Sequence, residues 1–446
     1  MKKHIKILAT LSTAAIILAG CGSSDSSSGN VETTKVVDDI PSGVMLNYVK
    51  AIDENSTFAF GYKAVRLVYT TKTPDGKEVE ASGILVIPEA PDAIKAAFGG
   101  VYPISVVVDN HGTIFKDSEA PSNTEVSDGA PNLKTAILFT GKAGFATVMP
   151  DYLGYGASRG ITHPYIMKYS AQASIDMLNA AEKYLKDNNY TVTNDVYITG
   201  YSEGGYVAME MAKEMQENNT TYHIAAVAPM AGPYDVEQLG IEDLNDSKPM
   251  VFPAFLAFLA DSYSKYYNQD ISKIVVKPEV FTNYDLFGGD YNFTAIHYYL
   301  GLTNLSKGDL GLYIPELNMT GHYPHELFRS DFISDFESNL SNPLREELKE
   351  NSNYTWVPQF PVNIVNCVDD EIIPYSIAYE ANATMNALGA PAVTLTPIPS
   401  SYIAPFSQDE PFVHQRCAPV AYGVAAQFFD GVRQQILAAQ QNSTSN

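Results

Sequence analysis

The sequence predicts an α/β fold, with a mostly parallel eight-stranded sheet and helices on both of its faces. Short runs rich in Val and Ile, which are typical of buried parallel strands, alternate with longer amphipathic segments. About 130 residues separate the sixth predicted strand from the seventh, far more than one crossover connection needs. This gap predicts a large insertion after the sixth strand.

Each predicted element follows from its own pattern. Two β-rich segments open the body, and Thr-Pro-Asp-Gly at 73–76 is a turn signal between them. The predicted strands are residues 64–71, 78–88, 104–109, 145–150, 196–199, 224–229, 362–366 and 392–397. The predicted helices are residues 171–186, 202–217, 374–388 and 418–440.

The domain organisation follows from these elements and from the insertion. The insertion is rich in Tyr and Phe, as at 253–259 and at Tyr298 and Tyr299, and it predicts a mainly helical cap over the carboxyl ends of the strands. Packing within the cap itself is an alternative explanation for these aromatic residues. The predicted parts are a signal peptide (1–20), a flexible tether (21–40), the first part of the core (41–232), the cap (233–358) and the second part of the core (359–446).

Composition and charge exclude several classes of protein. With 45% hydrophobic and 18% charged residues, the chain is neither collagenous, disordered nor a coiled coil. Its net charge is −23 and it has no Lys/Arg cluster, which argues against nucleic acid as a partner. Three cysteines in 446 residues are too few for a disulfide scaffold.

The N-terminus predicts export. A basic segment at 1–6 precedes an apolar run at 7–19 that is too short to span a membrane comfortably. The run ends in Leu-Ala-Gly-Cys at 18–21, which resembles the lipobox of bacterial lipoproteins. The resemblance implies cleavage before Cys21, a lipid on its thiol, and anchoring to the bacterial cell envelope, at the outer membrane if the source is Gram-negative. An ordinary secretory signal with an incidental cysteine is the alternative. The Ser-rich segment 22–30 reads as a flexible tether.

The strongest chemical signal is Gly-Tyr-Ser-Glu-Gly-Gly at 200–205, which follows a predicted strand and opens a predicted helix. This context indicates a nucleophile elbow with Ser202 as the nucleophile. The backbone N–H of Glu203, at the helix N-terminus, is then one donor to a developing oxyanion. A tight turn without chemistry is the alternative.

A serine nucleophile needs a base, and the base needs an orienting acid. Asp369, Asp370 and Glu371 all follow the strand 362–366. The spacing from Asp370 to Ile-Ile-Pro at 372–374 resembles the acid loop of many α/β-hydrolases and selects Asp370. Asp369 is the second choice, and Glu371 is expected to start the helix that follows.

His414 is the predicted base because it lies beyond the strand 392–397 and just before a long predicted helix. Four other histidines are less well placed: His223 lies at a strand start, and the cap contains His297, His322 and His325.

An early strand leads into His111, Gly112 and Thr113, whose His-Gly pair resembles the oxyanion loop of α/β-hydrolases. The resemblance implies that Thr113 donates the second N–H, with Gly112 as the alternative donor and His111 as a positioning residue. Together with Tyr201, His111 and Gly112 are expected beside the substrate. No metal or nucleotide cofactor is expected, because the chain has neither a Walker loop nor a His-x-x-x-His pair.

A narrower resemblance, to secretory lipases and esterases of the α/β-hydrolase superfamily, rests on two further motifs. They are Pro-Asp-Tyr-Leu-Gly-Tyr-Gly at 150–156 and His-Pro-Tyr at 163–165, and the resemblance spans roughly residues 60–440. It implies a serine carboxylic-ester hydrolase that acts through an acyl-enzyme, and the apolar cap favours acyl or aryl esters as substrates. A peptidase, an acyltransferase and a non-catalytic binding lipoprotein are the alternatives. Family members often have Gln where this chain has Glu203. Asp151 is expected to fix a turn, with catalysis as its alternative role.

The two remaining cysteines flank the predicted acid and base. Cys367 lies three residues before Asp370, and Cys417 lies three residues after His414. If Asp370 and His414 are hydrogen-bonded, their loops are neighbours and a Cys367–Cys417 disulfide becomes geometrically reasonable. Two separate buried thiols are the alternative.

Overall fold

Nine strands form a single sheet in the computed structural model. Their order across the sheet is β1-β2-β3-β5-β4-β6-β7-β8-β9. The strands are β1 (Val31–Ile40), β2 (Gly61–Lys72), β3 (Glu78–Glu89), β4 (Ile104–Asn110), β5 (Ala146–Pro150), β6 (Val192–Tyr201), β7 (His223–Met230), β8 (Val362–Cys367) and β9 (Val393–Ile398). The structure describes residues 29–115, 117–123, 131–245, 247, 250, 253–276, 323–406 and 412–444.

The prediction of eight strands is wrong by one. Residues 31–40, predicted as part of a flexible tether, form the edge strand β1, which pairs antiparallel with β2. Most β1 side chains are exposed, so the strand is stabilised mainly by backbone hydrogen bonds to β2 and by the buried side chain of Ile40. Because backbone pairing leaves no hydrophobic pattern in a sequence, the pattern does not predict this strand.

The sheet is parallel in one part and antiparallel in the other. Six strands are parallel, in the order β5-β4-β6-β7-β8-β9 across the sheet. The other three are antiparallel to their neighbours: β1 pairs with β2, β2 with β3, and β3 with β5. The parallel strands therefore end together at one edge, here named the C-terminal edge, which lies at Asn110, Tyr201, Met230 and Cys367.

Thirteen α-helices accompany the sheet within the described residues. They are α1 (Ser42–Ile52), α2 (Asp92–Ala97), α3 (Pro131–Ala136), α4 (Ala171–Asp187), α5 (Glu203–Glu217), α6 (Val236–Asp243), α7 (Pro253–Tyr266), α8 (Ile271–Ile274), α9 (Pro324–Leu327), α10 (Ser330–Ser338), α11 (Pro343–Glu350), α12 (Tyr375–Ala387) and α13 (Val413–Thr444). A π-helix, Ile137–Lys142, follows α3.

The last helix begins earlier than residue 418, where the sequence predicts its start. It begins at Val413, so His414 lies in its first turn. The Glu371 carboxylate accepts hydrogen bonds from the backbone N–H groups of Val413 and His414 and so satisfies two free donors of this turn. A long-range contact of this kind cannot be read from the local pattern.

Two apolar layers sandwich the sheet. One packs α4, α5 and α12 against one face, and the other packs α13 against the opposite face. A third cluster joins the described part of the cap to the core, because Phe258 and Tyr263 of α7 pack against residues 165–166. These cap aromatics therefore serve the cap–core contact as well as the cap interior, while Tyr298 and Tyr299 lie outside the described residues.

Within the described residues, no helix is both long and apolar enough to cross a membrane. The predicted signal peptide and Cys21 lie outside this part of the chain.

Candidate active site

The turn between β6 and α5 forces Ser202 into a rare conformation. Its backbone angles are φ 60° and ψ −123°, which cost a non-glycine residue of the order of 1–3 kcal/mol. Two glycines make the turn possible: a Cβ on Gly200 would lie 2.2 Å from the Gly204 carbonyl oxygen, and one on Gly204 would lie 1.8 Å from that of Asn110. Strand, helix and neighbouring loop therefore meet at a distance that only glycine allows.

The second part of the site pairs an acid with a base. Nδ1 of His414 lies 2.7 Å from Oδ2 of Asp370, and both side chains are buried. The other carboxylate oxygen of Asp370 accepts hydrogen bonds from the backbone N–H groups of Ile372 and Ile373, at 3.0 and 2.9 Å. These bonds fix the carboxylate so that Oδ2 faces the imidazole, which leaves Nε2 of His414 as the ring's proton acceptor.

The two neighbouring carboxylates have other partners. Asp369 is exposed and pairs with the hydroxyl of Ser400. The sequence predicts that Glu371 starts the helix that directly follows it. It does not start that helix, α12. Its carboxylate instead binds the first turn of α13, 2.8 Å from the Val413 nitrogen and 3.3 Å from that of His414. One loop thus contacts both the ring and the backbone of His414.

Two further contacts hold His414 in place. A disulfide joins Cys367, at the end of β8, to Cys417 in α13, with their Cα atoms 6.2 Å apart. Tyr201 donates its hydroxyl to the His414 carbonyl oxygen at 2.6 Å, and the two rings lie 5.0 Å apart. Burial raises the pKa of Tyr201, so this hydroxyl remains a donor. Because Tyr201 directly precedes Ser202, it couples the elbow to the acid–base pair, and its hydroxyl is engaged with protein rather than directed at a substrate.

The loop after β4 lies against the elbow. A Cβ on Gly112 would lie 3.1 Å from the Tyr201 carbonyl oxygen and 3.5 Å from Cβ of Ser202. The side chain of Thr113 contacts the Tyr165 hydroxyl at 3.1 Å. His111 is buried: its ring nitrogens lie 2.7 Å from the Gly112 carbonyl oxygen and 3.2 Å from that of Asp151. These contacts make His111 a residue that shapes the loop.

Glu203, the residue after Ser202, is also buried. Its Oε1 lies 2.5 Å from Nε2 of His163, and each side chain is only 1% exposed. The sequence indicates the backbone N–H of Glu203 and the His-Pro-Tyr motif as separate features, and only the folded chain brings their side chains together.

An apolar pocket leads from Ser202 into the cap. Its lining includes Ser202, Glu203 and Tyr165 together with side chains of α6, α7 and α11. Its apolar lining includes Val236, Leu239, Leu244, Met250, Leu256, Leu259, Leu344 and Leu348. A surface of this composition suits a hydrocarbon chain.

Besides Asp370, two further buried carboxylates lie near the C-terminal edge. Asp151 accepts hydrogen bonds from the hydroxyls of Ser82 and Ser122, each at 2.5 Å, and burial raises its pKa. Asp109 interacts with Thr135 and Tyr422, and its burial raises its pKa to about 6. Both carboxylates are enclosed by protein partners. For Asp151, these partners agree with the predicted role of fixing a turn.

The remaining histidines are remote or undescribed. His223 is exposed and lies 2.7 Å from Asp195, and His325 is exposed on the cap. His297 and His322 lie outside the described residues. No group of three or more His, Cys, Asp or Glu side chains with metal-binding geometry occurs in the part of the chain that the structure describes.

Several solved structures have a fold similar to that of this chain. A candidate hydrolase from Legionella pneumophila superposes with a TM-score of 0.72 at 23% identity, covering 91% of this chain and 98% of that one. The rice cell wall degrading esterase LipA from Xanthomonas oryzae gives 0.69 at 23% identity, covering 93% and 100%. This chain shares their fold.

A more distant likeness is to Candida antarctica lipase A, with a TM-score of 0.53 at 16% identity over 83% of this chain and 76% of that one. No family model and no curated protein matches the sequence. The fold is therefore that of known esterases and lipases, and the α/β prediction is confirmed at this level.

Proposed function

We propose that this protein is a serine carboxylic-ester hydrolase whose triad is Ser202, Asp370 and His414. The observation that carries the proposal is that one edge of the sheet combines a strained, glycine-flanked serine with a buried Asp370–His414 pair. Fold stability requires neither a strained serine nor a buried acid–base pair. The fold shared with an esterase and a lipase agrees with this activity.

In the proposed reaction, Nε2 of His414 removes the hydroxyl proton of Ser202 as Oγ attacks the ester carbonyl carbon. The backbone N–H groups of Glu203 and Thr113, with Gly112 as the alternative to Thr113, stabilise the resulting oxyanion. Collapse of this intermediate breaks the C–O bond, and the His414 imidazolium returns the proton to the leaving alcohol. Water then enters the same cycle, releases the carboxylic acid and restores the Ser202 hydroxyl.

The substrate class is proposed from the pocket. Since it is lined almost entirely by aliphatic and aromatic side chains, the acyl group is expected to lie there as a hydrocarbon chain. Besides Glu203, Asp243 is the acidic side chain of this lining, so a negatively charged acyl group would be disfavoured. Acyl or aryl esters with an apolar acyl part are therefore the expected substrates.

Hydrolysis of p-nitrophenyl esters from acetate to palmitate by wild type and Ser202→Ala tests the proposal. Loss of at least about 10³-fold in kcat is expected for Ser202→Ala, while Ser341→Ala, an exposed cap serine, should match wild type. Equal turnover by Ser202→Ala and wild type would contradict the triad. If no ester is hydrolysed, a peptidase, an acyltransferase or a non-catalytic binding lipoprotein becomes the better assignment.

We further propose that Cys21 carries a lipid that tethers the body to a membrane. Strand β1 begins at Val31, which pairs with Tyr69 of β2. The part of β3 that adjoins this end of β2 includes Gly83, which pairs with Pro150 at the end of β5. The start of β1 therefore lies on the side of the C-terminal edge. A short tether would thus hold the active site near the lipid surface. Mass spectrometry of the mature N-terminus tests the anchor, and an unmodified N-terminus would refute it.

A further inference from the structure

A buried carboxylate directly follows the nucleophile. Glu203 begins α5, its side chain is 1% exposed, and Nε2 of His163 lies 2.5 Å from its Oε1. Burying a charge is costly unless it is paired and hydrogen-bonded. A second ionised group, or a shared proton, must therefore balance Glu203 next to the position where the oxyanion develops.

The contacts of His163 indicate which state this is. Its Nδ1 lies 2.9 Å from the carbonyl oxygen of Leu153, and a carbonyl oxygen can only accept, so Nδ1 carries a hydrogen. Its Nε2 faces a carboxylate. An imidazolium ring satisfies both partners at once, because it donates from both nitrogens.

The surroundings of the ring favour the same state. Tyr152 stacks on His163 with the centroids 5.7 Å apart and the planes 6° apart, and three more aromatic rings lie within 6.1 Å. They belong to Tyr155, Tyr165 and Phe258. Aromatic rings attract a cation through their negative faces, and a desolvated cation gains most from this attraction.

The same aromatic residues hold the oxyanion loop. Tyr152 also stacks on His111 at 4.0 Å and donates its hydroxyl to the His111 carbonyl oxygen at 2.9 Å. Tyr155 donates to the Ile114 carbonyl oxygen at 2.5 Å, and Tyr165 contacts the Thr113 hydroxyl. The ring of His163 thus contacts Glu203 directly and contacts the loop at 111–114 through these tyrosines, so it is linked to both segments that supply the proposed oxyanion donors.

We propose that His163 is a positioning residue for ester hydrolysis: as an imidazolium it neutralises the carboxylate of Glu203 and fixes the backbone N–H of Glu203 beside Ser202. The inference rests on the proposed function. Without the imidazolium, an uncompensated carboxylate would repel the oxyanion within a site of low dielectric constant. The loss would therefore appear in kcat rather than in KM.

A double-mutant cycle tests this role. His163→Gln keeps a hydrogen-bond donor and removes the positive charge, and it is expected to lower kcat about 10²-fold with little change in KM. Glu203→Gln removes the carboxylate and is expected to lower kcat by a smaller factor. Combining the two restores electrical balance, so the double variant should be at least about 10-fold faster than His163→Gln. A double variant no faster than His163→Gln would overturn the proposal, because a second substitution does not reverse a purely structural loss caused by the first.

A second readout does not depend on activity. NMR of ¹⁵N-labelled histidine at pH 7 should show both His163 nitrogens protonated in the wild type, and one unprotonated acceptor nitrogen in Glu203→Gln. The signal is assigned from the His163→Gln spectrum or, if that variant does not fold, from contacts with the Tyr152 ring protons. A neutral His163 in the wild type would overturn the proposal whether or not esters are hydrolysed. Failure of the ester assay alone would affect only the proposed function.

Discussion

Asp370 and His414 lie 2.7 Å apart between Oδ2 and Nδ1, although 44 residues separate them in the chain. Three other links hold the same two segments together: the Cys367–Cys417 disulfide and the two hydrogen bonds from backbone N–H groups of α13 to Glu371. These links fix the orientation of the imidazole in the protein itself, which would lower the cost of organising the proposed triad during the reaction.

Asp370→Asn is expected to lower kcat by roughly 10³–10⁴-fold while the protein stays folded, because an amide cannot hold the imidazole in the required tautomer or stabilise its charge. Asp369→Asn is the matched control. Since Asp369 is exposed and outside the pair, its replacement should change kcat by less than about 3-fold. Steady-state kinetics with one p-nitrophenyl ester compares them, and the reverse ranking would make Asp369 the acid.

Removal of the disulfide should destabilise the fold. The bridge closes a segment of 50 residues, for which loop-closure entropy predicts a contribution of about 4 kcal/mol to the free energy of unfolding. Cys367→Ala/Cys417→Ala should therefore unfold at lower denaturant concentration, and its kcat should fall because α13 carries His414. Thiol titration of the unfolded, unreduced protein should detect neither cysteine, and two reactive thiols from this part of the chain would contradict the bridge.

Gly204→Ala should disrupt the elbow. The new Cβ would lie 1.8 Å from the Asn110 carbonyl oxygen, so α5 and the oxyanion loop would have to separate. We expect a loss of at least about 2 kcal/mol in stability and near-complete loss of activity. Gly423→Ala in α13 meets no atom within 4 Å and should be neutral or stabilising by up to about 1 kcal/mol. Thermal unfolding distinguishes the two, and a stable, active Gly204→Ala variant would refute the close approach.

Asp109 should make stability depend on pH. Its pKa of about 6 in the folded protein exceeds the ordinary value of 3.8, so the folded state binds more protons between these values. The free energy of unfolding therefore falls as pH rises from about 4 to 6, by roughly 3 kcal/mol in total. Asp109→Asn should lack this contribution, so its stability relative to wild type should increase across that interval. Urea unfolding at pH 4.5 and 7 measures the difference, and a constant difference would contradict the shift.

Acyl-chain preference should respond to the pocket lining. Leu259→Trp fills part of the apolar pocket and should reduce kcat/KM for long acyl chains about 10-fold or more, with less effect on acetate. Leu340→Trp, at a cap position that is 74% exposed, is the control and should leave the chain-length profile unchanged. A profile for Leu259→Trp that matches wild type would place the acyl group elsewhere.

The sequence predicts those parts of the fold and of the candidate site that depend on local chemistry. The elbow at Ser202 can be predicted because a strand, two glycines and a helix follow one another directly. Asp370 can be predicted from its spacing to Pro374. Strand β1 is not predicted by the sequence pattern, because backbone pairing stabilises it. The contacts from Glu371 to α13 and from His163 to Glu203 span 42 and 40 residues, so the folded chain alone reveals them.

The most direct test of the central claim is reaction of the folded protein with a fluorophosphonate, followed by mass spectrometry of the labelled peptide. The account predicts stoichiometric labelling of Ser202, with labelling lost in Ser202→Ala and strongly slowed in Asp370→Asn. Labelling of a different residue, or no labelling of a protein that is folded, would contradict a serine nucleophile at this site.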